Sequence, residues 1–360
     1  MLGAAIRYSY LNAKTRTMHS MRLRPSDWHI LETTKDRDAF LHYLATTSYA
    51  PWITEILEQK EQGDEVFERK IFGALFNDYR KILGALRDAS SREFILALFS
   101  RFEGENLKIL LRALFSGLGK AGAAHLLYPV ERLSRLPWER LWQQKNVRDA
   151  VKLLEKTAFG SMLNHALSQF EAQGRLFPLE MAIDIACFRR IDAAAGAIGS
   201  RTDRSRVRDV LGSYVDMLNI CHIARLRFVY GLSPEEALNY SYSGGNMDLR
   251  TLHAIARASD LSAMAKVLPR PFGGVVQGIA GDLTSLRLKL EEWLIGRLRR
   301  AFLGSPFHLG VQVAHLLEKE LEIRGLISLY QARIHSPAMK AEDIVPGIFL
   351  KGGEHLVQAG

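Results

Sequence analysis

Cysteine is nearly absent, with only Cys187 and Cys221 in 360 residues. Two thiols exclude a disulfide framework, and without other ligands they exclude a structural thiolate metal site. Both lie in apolar, helix-like stretches and read as small buried thiols of a reducing compartment. Long hydrophobic runs are lacking too. No stretch of about 18 apolar residues passes without a charge, so no membrane-spanning helix is expected. The opening Met1-Leu-Gly-Ala-Ala-Ile-Arg7 has neither the basic start nor the apolar core of a signal peptide. The expectation is a cytoplasmic chain that meets a membrane, if it does, from outside the bilayer. With 28 glycines and 11 prolines the chain is also not low-complexity, and disorder is excluded.

The motifs of common catalytic sites are missing as well. Gly117-Leu-Gly119-Lys120-Ala fails as a phosphate loop in its spacing and in its missing hydroxyl. There is no His-Glu-x-x-His and no Gly-x-Ser-x-Gly. His308 and His315 stand seven residues apart, with no carboxylate at metal-ligand spacing. Glu235/Glu236 and Glu291/Glu292 read as solvated pairs on helix surfaces. No catalytic, cofactor-binding or metal-ligating residues are therefore expected. Sustained alternation of β-branched residues, the mark of a half-buried strand, is absent too.

What is present is helical periodicity. Ile95, Leu98, Phe99 and Phe102 follow the i, i+3, i+4, i+7 spacing of one helix face. So do Leu107, Leu110, Leu111 and Leu114, then Val207, Val210, Leu211 and Tyr214, and later Ile323, Leu326, Ile327 and Tyr330. Ser233-Pro-Glu-Glu236 reads as an N-cap, a proline in the first turn and acids beside it. Gly244-Gly245 breaks the chain before Asp248 opens another helix, and Gly304-Ser305-Pro306 interrupts a very long one. The fold class predicted is all-α.

The net charge is +9. Arginines cluster at Arg22/Arg24, at Arg201/Arg204/Arg206/Arg208 and at Arg297/Arg299/Arg300. Such clusters are usually solvated faces; otherwise they suit an acidic protein, an anionic membrane surface or nucleic acid. No nucleic-acid-binding signature accompanies them, which makes nucleic acid the weakest of the three.

The chain repeats itself. Trp28, Leu31, Leu44, Thr47 and Tyr49 return as Trp138, Leu141, Leu154, Thr157 and Phe159, each 110 positions later. Leu249, Leu252 and, with a small shift, Leu268 continue the series. A second signature follows: Glu103-x-x-Asn106 leads to Arg112, and Asp216-x-x-Asn219 leads to Arg225 at the same distance. Glu322-x-x-Gly325 leads to Gln331, keeping the acid and losing the asparagine and arginine. Such a period far exceeds those of tetratricopeptide or armadillo units. Three helical repeats are expected, over 1–125, 126–246 and 247–360, closed about a pseudo-threefold axis. On one straight helix Glu103 and Asn106 share a face while Arg112 lies half a turn away. The three cannot converge on a small ligand. They serve neighbouring helices or line a surface for a partner.

Four stretches together resemble one family, the C subunit of the rotary V/A-type ATPases, called d in the eukaryotic enzymes. Tyr8-Ser-Tyr-Leu-Asn12-Ala-Lys-Thr-Arg16 with Met18 and Ser20 is similar to its opening helix. Asp216-Met-Leu-Asn219-Ile-Cys-His-Ile-Ala-Arg225 is similar to its Asp-x-x-Asn-Ile-x(4)-Arg helix. Gly231-Leu-Ser-Pro-Glu-Glu with Gly244-Gly245 resembles its loop and double-glycine turn. Pro306-Phe307 with Lys319-Glu-Leu-Glu322-Ile-Arg324-Gly-Leu-Ile327 resembles its late Lys-Glu-x-Glu-Ile-Arg-Asn-Leu-Ile segment. Lys14, Gly325 and Gln331 depart from the family's arginine, asparagine and basic residue.

The resemblance implies a funnel of three helical sub-domains that binds no nucleotide. It implies a rotor adaptor, peripheral on the cytoplasmic face, seated on the proteolipid (c) ring and receiving the D and F subunits of the central shaft. Torque would pass through it between ATP hydrolysis or synthesis and ion transport. The large membrane stator subunit is a further conceivable neighbour, and the isolated chain is expected to be a monomer. Interface candidates are Asn106, Arg112, Asn219, Arg225, Arg227, Glu322 and Arg324. The rival reading is a generic α-helical interaction scaffold.

Overall fold

The computed structural model describes residues 2–58, 63–276, 282–336 and 338–351. Among them there is no strand, and the chain is all-α as its periodicity predicts. In chain order the first helices are α1 (Leu2–Ser20), α2 (Pro25–Thr33), α3 (Arg37–Leu44), α4 (Ala50–Glu58), α5 (Asp64–Ala85) and α6 (Ala89–Ser116). Next come α7 (Gly119–Ala123), α8 (Trp138–Trp142), α9 (Val147–Leu153), α10 (Gly160–Gln173), α11 (Phe177–Gly196) and α12 (Arg201–Phe228). The last are α13 (Pro234–Asn239), α14 (Leu249–Ala256), α15 (Leu261–Val267), α16 (Arg270–Gly273), α17 (Leu283–Arg300), α18 (Gly310–His335) and α19 (Gly347–Lys351).

Helix ends follow the chemistry read from sequence. Ser233 and Glu236 form a capping box at α13. The Asp248 carboxylate accepts from the Thr251 N–H at the start of α14, at 2.8 Å. Residues 301–309, with Gly304 and Pro306, separate α17 from α18.

The chain divides into two compact units. Residues 79–204 with 242–244 form one; residues 1–78, 205–241 and 245–360 form the other. In the first, α6 lies along α11, and α10 packs on α11. Its core joins Leu107, Leu110 and Leu111 to Ile183 and Cys187 and to Leu141, Val151, Phe159 and Leu163. In the second, α18 is the central strut, buried along most of its length. Phe67 stacks on Tyr330 at 4.1 Å, Phe40 meets that ring edge-on at 5.4 Å, and Trp28 stacks on Phe349 at 5.1 Å. Aromatic pairs of this kind add stability beyond the area they bury.

The sequence repeat is also a repeat of local geometry. The Thr47 hydroxyl donates to the Leu44 carbonyl at 2.7 Å and accepts from the Tyr49 N–H at 3.2 Å. One period later, Thr157 donates to Leu154 at 2.6 Å and accepts from the Phe159 N–H at 3.2 Å. Each threonine shapes the turn that carries a buried aromatic ring into the core. Asp36 caps α3, Asn146 caps α9 and Asp260 caps α15 through the same side-chain bond to the N–H three residues on. The third copy departs at its first position. Leu249 is 72% exposed, where Trp28 is fully buried.

Replacing either turn threonine by valine keeps its shape and removes both hydrogen bonds. Thr47→Val and Thr157→Val should each cost about 1 kcal/mol, read as a lower urea midpoint. Equal midpoints for both variants and the parent chain would show that the turns hold without them.

Candidate interaction residues and a buried ionic clamp

The signature acid and amide positions all sit on long helices. On α6, Asn106 is buried, donates to the Tyr128 carbonyl and accepts from the Tyr128 N–H, both at 2.8 Å. One side chain thereby satisfies both backbone groups of a residue outside any helix. Beside it, burial raises the pKa of Glu103, against the pull of Ser134 and of Arg190 at 3.5 Å. On α12, Asp216 accepts from the Asn246 and Met247 N–H groups at 2.9 and 3.0 Å, and Asn219 is buried. In both copies the signature holds the stretch that leads into the next short helices, at Trp138 and at Leu249.

On α18 the acid is Glu322, fully buried. It accepts from Arg22 Nε at 3.0 Å, from the Tyr49 hydroxyl at 2.7 Å and from Lys319 Nζ at 3.0 Å. Arg22 lies between α1 and α2, so here too the signature grips the stretch before a short helix, the one bearing Trp28. Tyr49 occupies the place of Phe159 one period on; its added hydroxyl meets Glu322, whereas Phe159 sits in an apolar cluster. Arg22 also pairs with Glu318, which accepts from Arg299 Nε at 2.8 Å. His19 stacks on Phe302 at 4.0 Å with Nδ1 3.7 Å from Glu318, and His315 Nε2 lies 2.9 Å from Asp78.

Gly325 follows from this packing. A Cβ there would lie 3.2 Å from the Trp28 ring and 3.5 Å from Val345. The asparagine of the other copies has no room because the indole fills its place.

The electrostatics keep the clamp ionised. Burial disfavours the Glu322 carboxylate, but Lys319, Arg22 and the Tyr49 hydroxyl outweigh it and hold its pKa down to about 2. Burial likewise works against Arg22, but Glu318 and Glu322 push its pKa up. Burial and the Glu322 charge drive the Tyr49 phenol well above its ordinary value, so it stays a donor. Burial depresses His19 to about 4 against the pull of Glu318, with Arg22, His315 and Arg299 adding to the depression.

The remaining candidates lie nearer solvent. Arg112 is largely exposed and makes a bidentate pair with Glu180, at 2.6 and 3.0 Å. Arg225 is exposed on α12. Arg227 turns inward, donating to the Ala256 carbonyl at 2.7 Å and to that of Leu232. Arg324 is half-exposed, bonded to Glu320 at 3.0 Å with its guanidinium over Phe72. Sequence reasoning left Arg22 in a solvated cluster, and the structure buries it. No local signal marks it: α18 carries Glu318, Lys319, Glu320, Glu322 and Arg324 in one stretch, and nothing in that stretch says that Glu318 and Glu322 are buried and need Arg22. Cys187 is buried, as expected, and Cys221 is only partly covered. Among the described residues no group of three or more metal-ligating side chains converges, and no helix is long and apolar enough to cross a membrane.

Long helices whose buried polar side chains hold backbone outside the helices define an all-α protein. The chain belongs to the ATP synthase (C/AC39) subunit family, whose model matches residues 11–342. It is 21% identical to a protein of Methanocaldococcus jannaschii over 94% of this chain and 85% of the relative. It is 25% identical to one of Methanothermobacter thermautotrophicus over 89% and 82%; both relatives are named as the C subunit of an A-type ATP synthase. A Deinococcus radiodurans protein, named as the C subunit of a V-type ATP synthase, is 23% identical over 58% of this chain and 59% of its own.

Two outcomes are expected. His19 and Glu322 both have folded-state pKa values below their ordinary 6.5 and 4.5. At these two sites the unfolded chain takes up protons that the native chain refuses, so their contribution to stability falls with acid, against the opposite contribution of Asp184, whose carboxyl burial raises to about 6. The loss begins near pH 6.5 with His19, ends its first limb near 4, and continues toward 2 as Glu322 is protonated. Urea midpoints across pH should show this, and His19→Asn should flatten the limb between 6.5 and 4; an unchanged limb would refute the assignment. Separately, Gly325→Asn should cost about 1–3 kcal/mol through overpacking. Its cost should shrink in the Trp28→Leu background, and strict additivity of the two changes would remove Trp28 as the cause.

Proposed function

We propose that this chain is a non-catalytic rotor adaptor of a V/A-type rotary ATPase. In this reading it joins the D and F subunits of the central shaft to the membrane proteolipid ring and carries torque between them. It sits on the cytoplasmic face as a peripheral component, with ATP chemistry and ion passage belonging to other parts of the complex. The observation that carries the reading is family membership over nearly the whole chain.

The clamps support it. Three long helices each use a polar residue of the signature, Asn106, Asp216 or Glu322, to hold a stretch that leads into short helices. The third reaches back about 300 residues, from Glu322 to Arg22. The proposal includes three repeats, over 1–125, 126–246 and 247–360, closed about a pseudo-threefold axis. Among the interface candidates, exposed Arg225 and the outward-reaching Arg112 and Arg324 are the direct contacts in this proposal. Asn106, Asn219, Arg227 and Glu322 act by holding the surfaces in shape.

The test is a pull-down of the tagged chain from detergent-solubilised membranes of its source, with co-purifying proteins identified by mass spectrometry. The D and F shaft subunits and the proteolipid should be recovered. Arg225→Glu and Arg324→Glu should each lower their yield severalfold while the variants keep the parent's circular dichroism. Recovery of no ATPase subunit from membranes that contain the complex would refute the adaptor reading and leave a helical scaffold of another partner.

A further inference from the structure

The smaller unit, residues 79–204 with 242–244, carries most of the chain's charge imbalance. It holds 20 basic and 13 acidic residues, a surplus of 7 out of the whole chain's 9. Every charge is counted there, paired or not.

In this unit bulky apolar side chains stand in solvent beside such charges. Phe115, in the last turn of α6, is 52% exposed, and Leu118, just before α7, is 55% exposed. Phe115 meets Phe170 of α10 edge-on at 6.0 Å. Both rings border a shallow hollow of about 370 Å³ that Val147 of α9 also lines. Around Phe115, Leu118 and the hollow lie five exposed cations. Lys120 is on α7, Lys145 two residues before α9, Arg148 and Lys152 on α9, and Arg175 two residues past α10. The same elements carry two acids, Asp149 and Glu171, of which Glu171 pairs with Arg148 at 2.8 Å. Arg112, a turn back on α6, is cancelled by its partner Glu180. With every acid at full charge the surplus around the apolar pair is still 3 positive.

We propose that this face docks on an anionic lipid surface, with Phe115 and Leu118 entering among the headgroups and the surrounding cations meeting the lipid anions. The cations decide between lipid and an acidic protein. Three of the five are lysines, which are depleted where proteins meet. Lysine and arginine beside exposed phenylalanine and leucine are instead the pattern of peripheral membrane binding. A lysine stem lies along apolar surface while its ammonium stays at headgroup level. A charged plane also attracts every basic residue that faces it, so a surplus spread over several elements adds up. A single acidic segment seated in the hollow would meet only a few of them. This goes beyond the adaptor role, because the chain itself meets lipid, and it does not depend on which subunits the chain joins.

The test is co-sedimentation of the isolated full chain with protein-free vesicles. One set is phosphatidylcholine alone, and in the other a third of the lipid is phosphatidylserine. The chain should sediment with the second set and not the first, and added salt should release it. Lys120→Glu, Lys145→Glu and Lys152→Glu combined should lower the apparent affinity at least tenfold, with circular dichroism unchanged. Lys35→Glu, Arg250→Glu and Lys266→Glu combined reverse three exposed cations of the other unit. They change the net charge equally and should lower affinity less than threefold. Phe115→Gln with Leu118→Gln should weaken binding severalfold and leave its salt dependence in place. No binding to the anionic vesicles, equal binding to both sets, equal loss in the two triple variants, or unchanged binding by the glutamine variant would each overturn the proposal. So would tighter binding to soluble polyglutamate than to the vesicles, which would assign the cations to an acidic protein. Because the vesicles hold no protein, the result is independent of the pull-down above, and either reading can fail alone.

Discussion

Two carboxylates buried on one helix set the constraint that the rest of the larger unit obeys. Glu318 and Glu322 have no access to water, and an unpaired charge in such surroundings is untenable. Arg22 meets both, with Arg299, Lys319 and Tyr49 completing the shell. Satisfying Glu322 therefore fixes the chain between α1 and α2, the turn that carries Tyr49, and the face of α18 in one arrangement. Trp28 then lands against Gly325 and Phe349. Apolar burial alone would tolerate several neighbouring packings, whereas a hydrogen-bonded ion cluster tolerates few.

Such clusters bring little net stability, since desolvation offsets much of the attraction. Their contribution here is specificity of position. The same holds more gently in the other copies. Asn106 satisfies both backbone groups of Tyr128, and Asp216 takes two backbone N–H groups of the double-glycine turn. In each case a polar side chain on a long helix is the receptor for a segment that has no helix of its own to satisfy it.

Much of the fold was legible in the chain because helices write themselves locally. The spacing of Ile95, Leu98, Phe99 and Phe102 identifies α6, and Ser233 and Asp248 mark helix starts that the structure places where expected. The 110-residue period was legible too, down to Thr47 and Thr157, because an identical turn needs an identical hydroxyl. The partners of the charged residues were not legible. Arg22 and Glu322 lie 300 positions apart, and nothing local to Arg22 distinguishes it from its exposed neighbour Arg24. Leu249 shows the opposite failure: it keeps the repeat's apolar character yet stands in solvent, since sequence records the residue and not the depth of its pocket.

The three signature positions diverge in a way that packing explains. Where the grip falls on backbone, as at Tyr128, an amide serves, because it both donates and accepts. Where it falls on two backbone N–H groups, as at Asn246 and Met247, a carboxylate serves, because it only accepts. Where it falls on the guanidinium of Arg22, a carboxylate is again required, and the neighbouring asparagine gives way to Gly325 so that Trp28 can enter. The acid position holds the neighbouring stretch in α12 and α18, and the amide position three residues on does so in α6. The residue changes with the chemistry of what is held. A part proposed to pass torque needs its helices fixed in relation to one another more than it needs any reactive group. Directional bonds to charged and backbone atoms supply that fixity where oily contacts alone would let neighbouring helices slide.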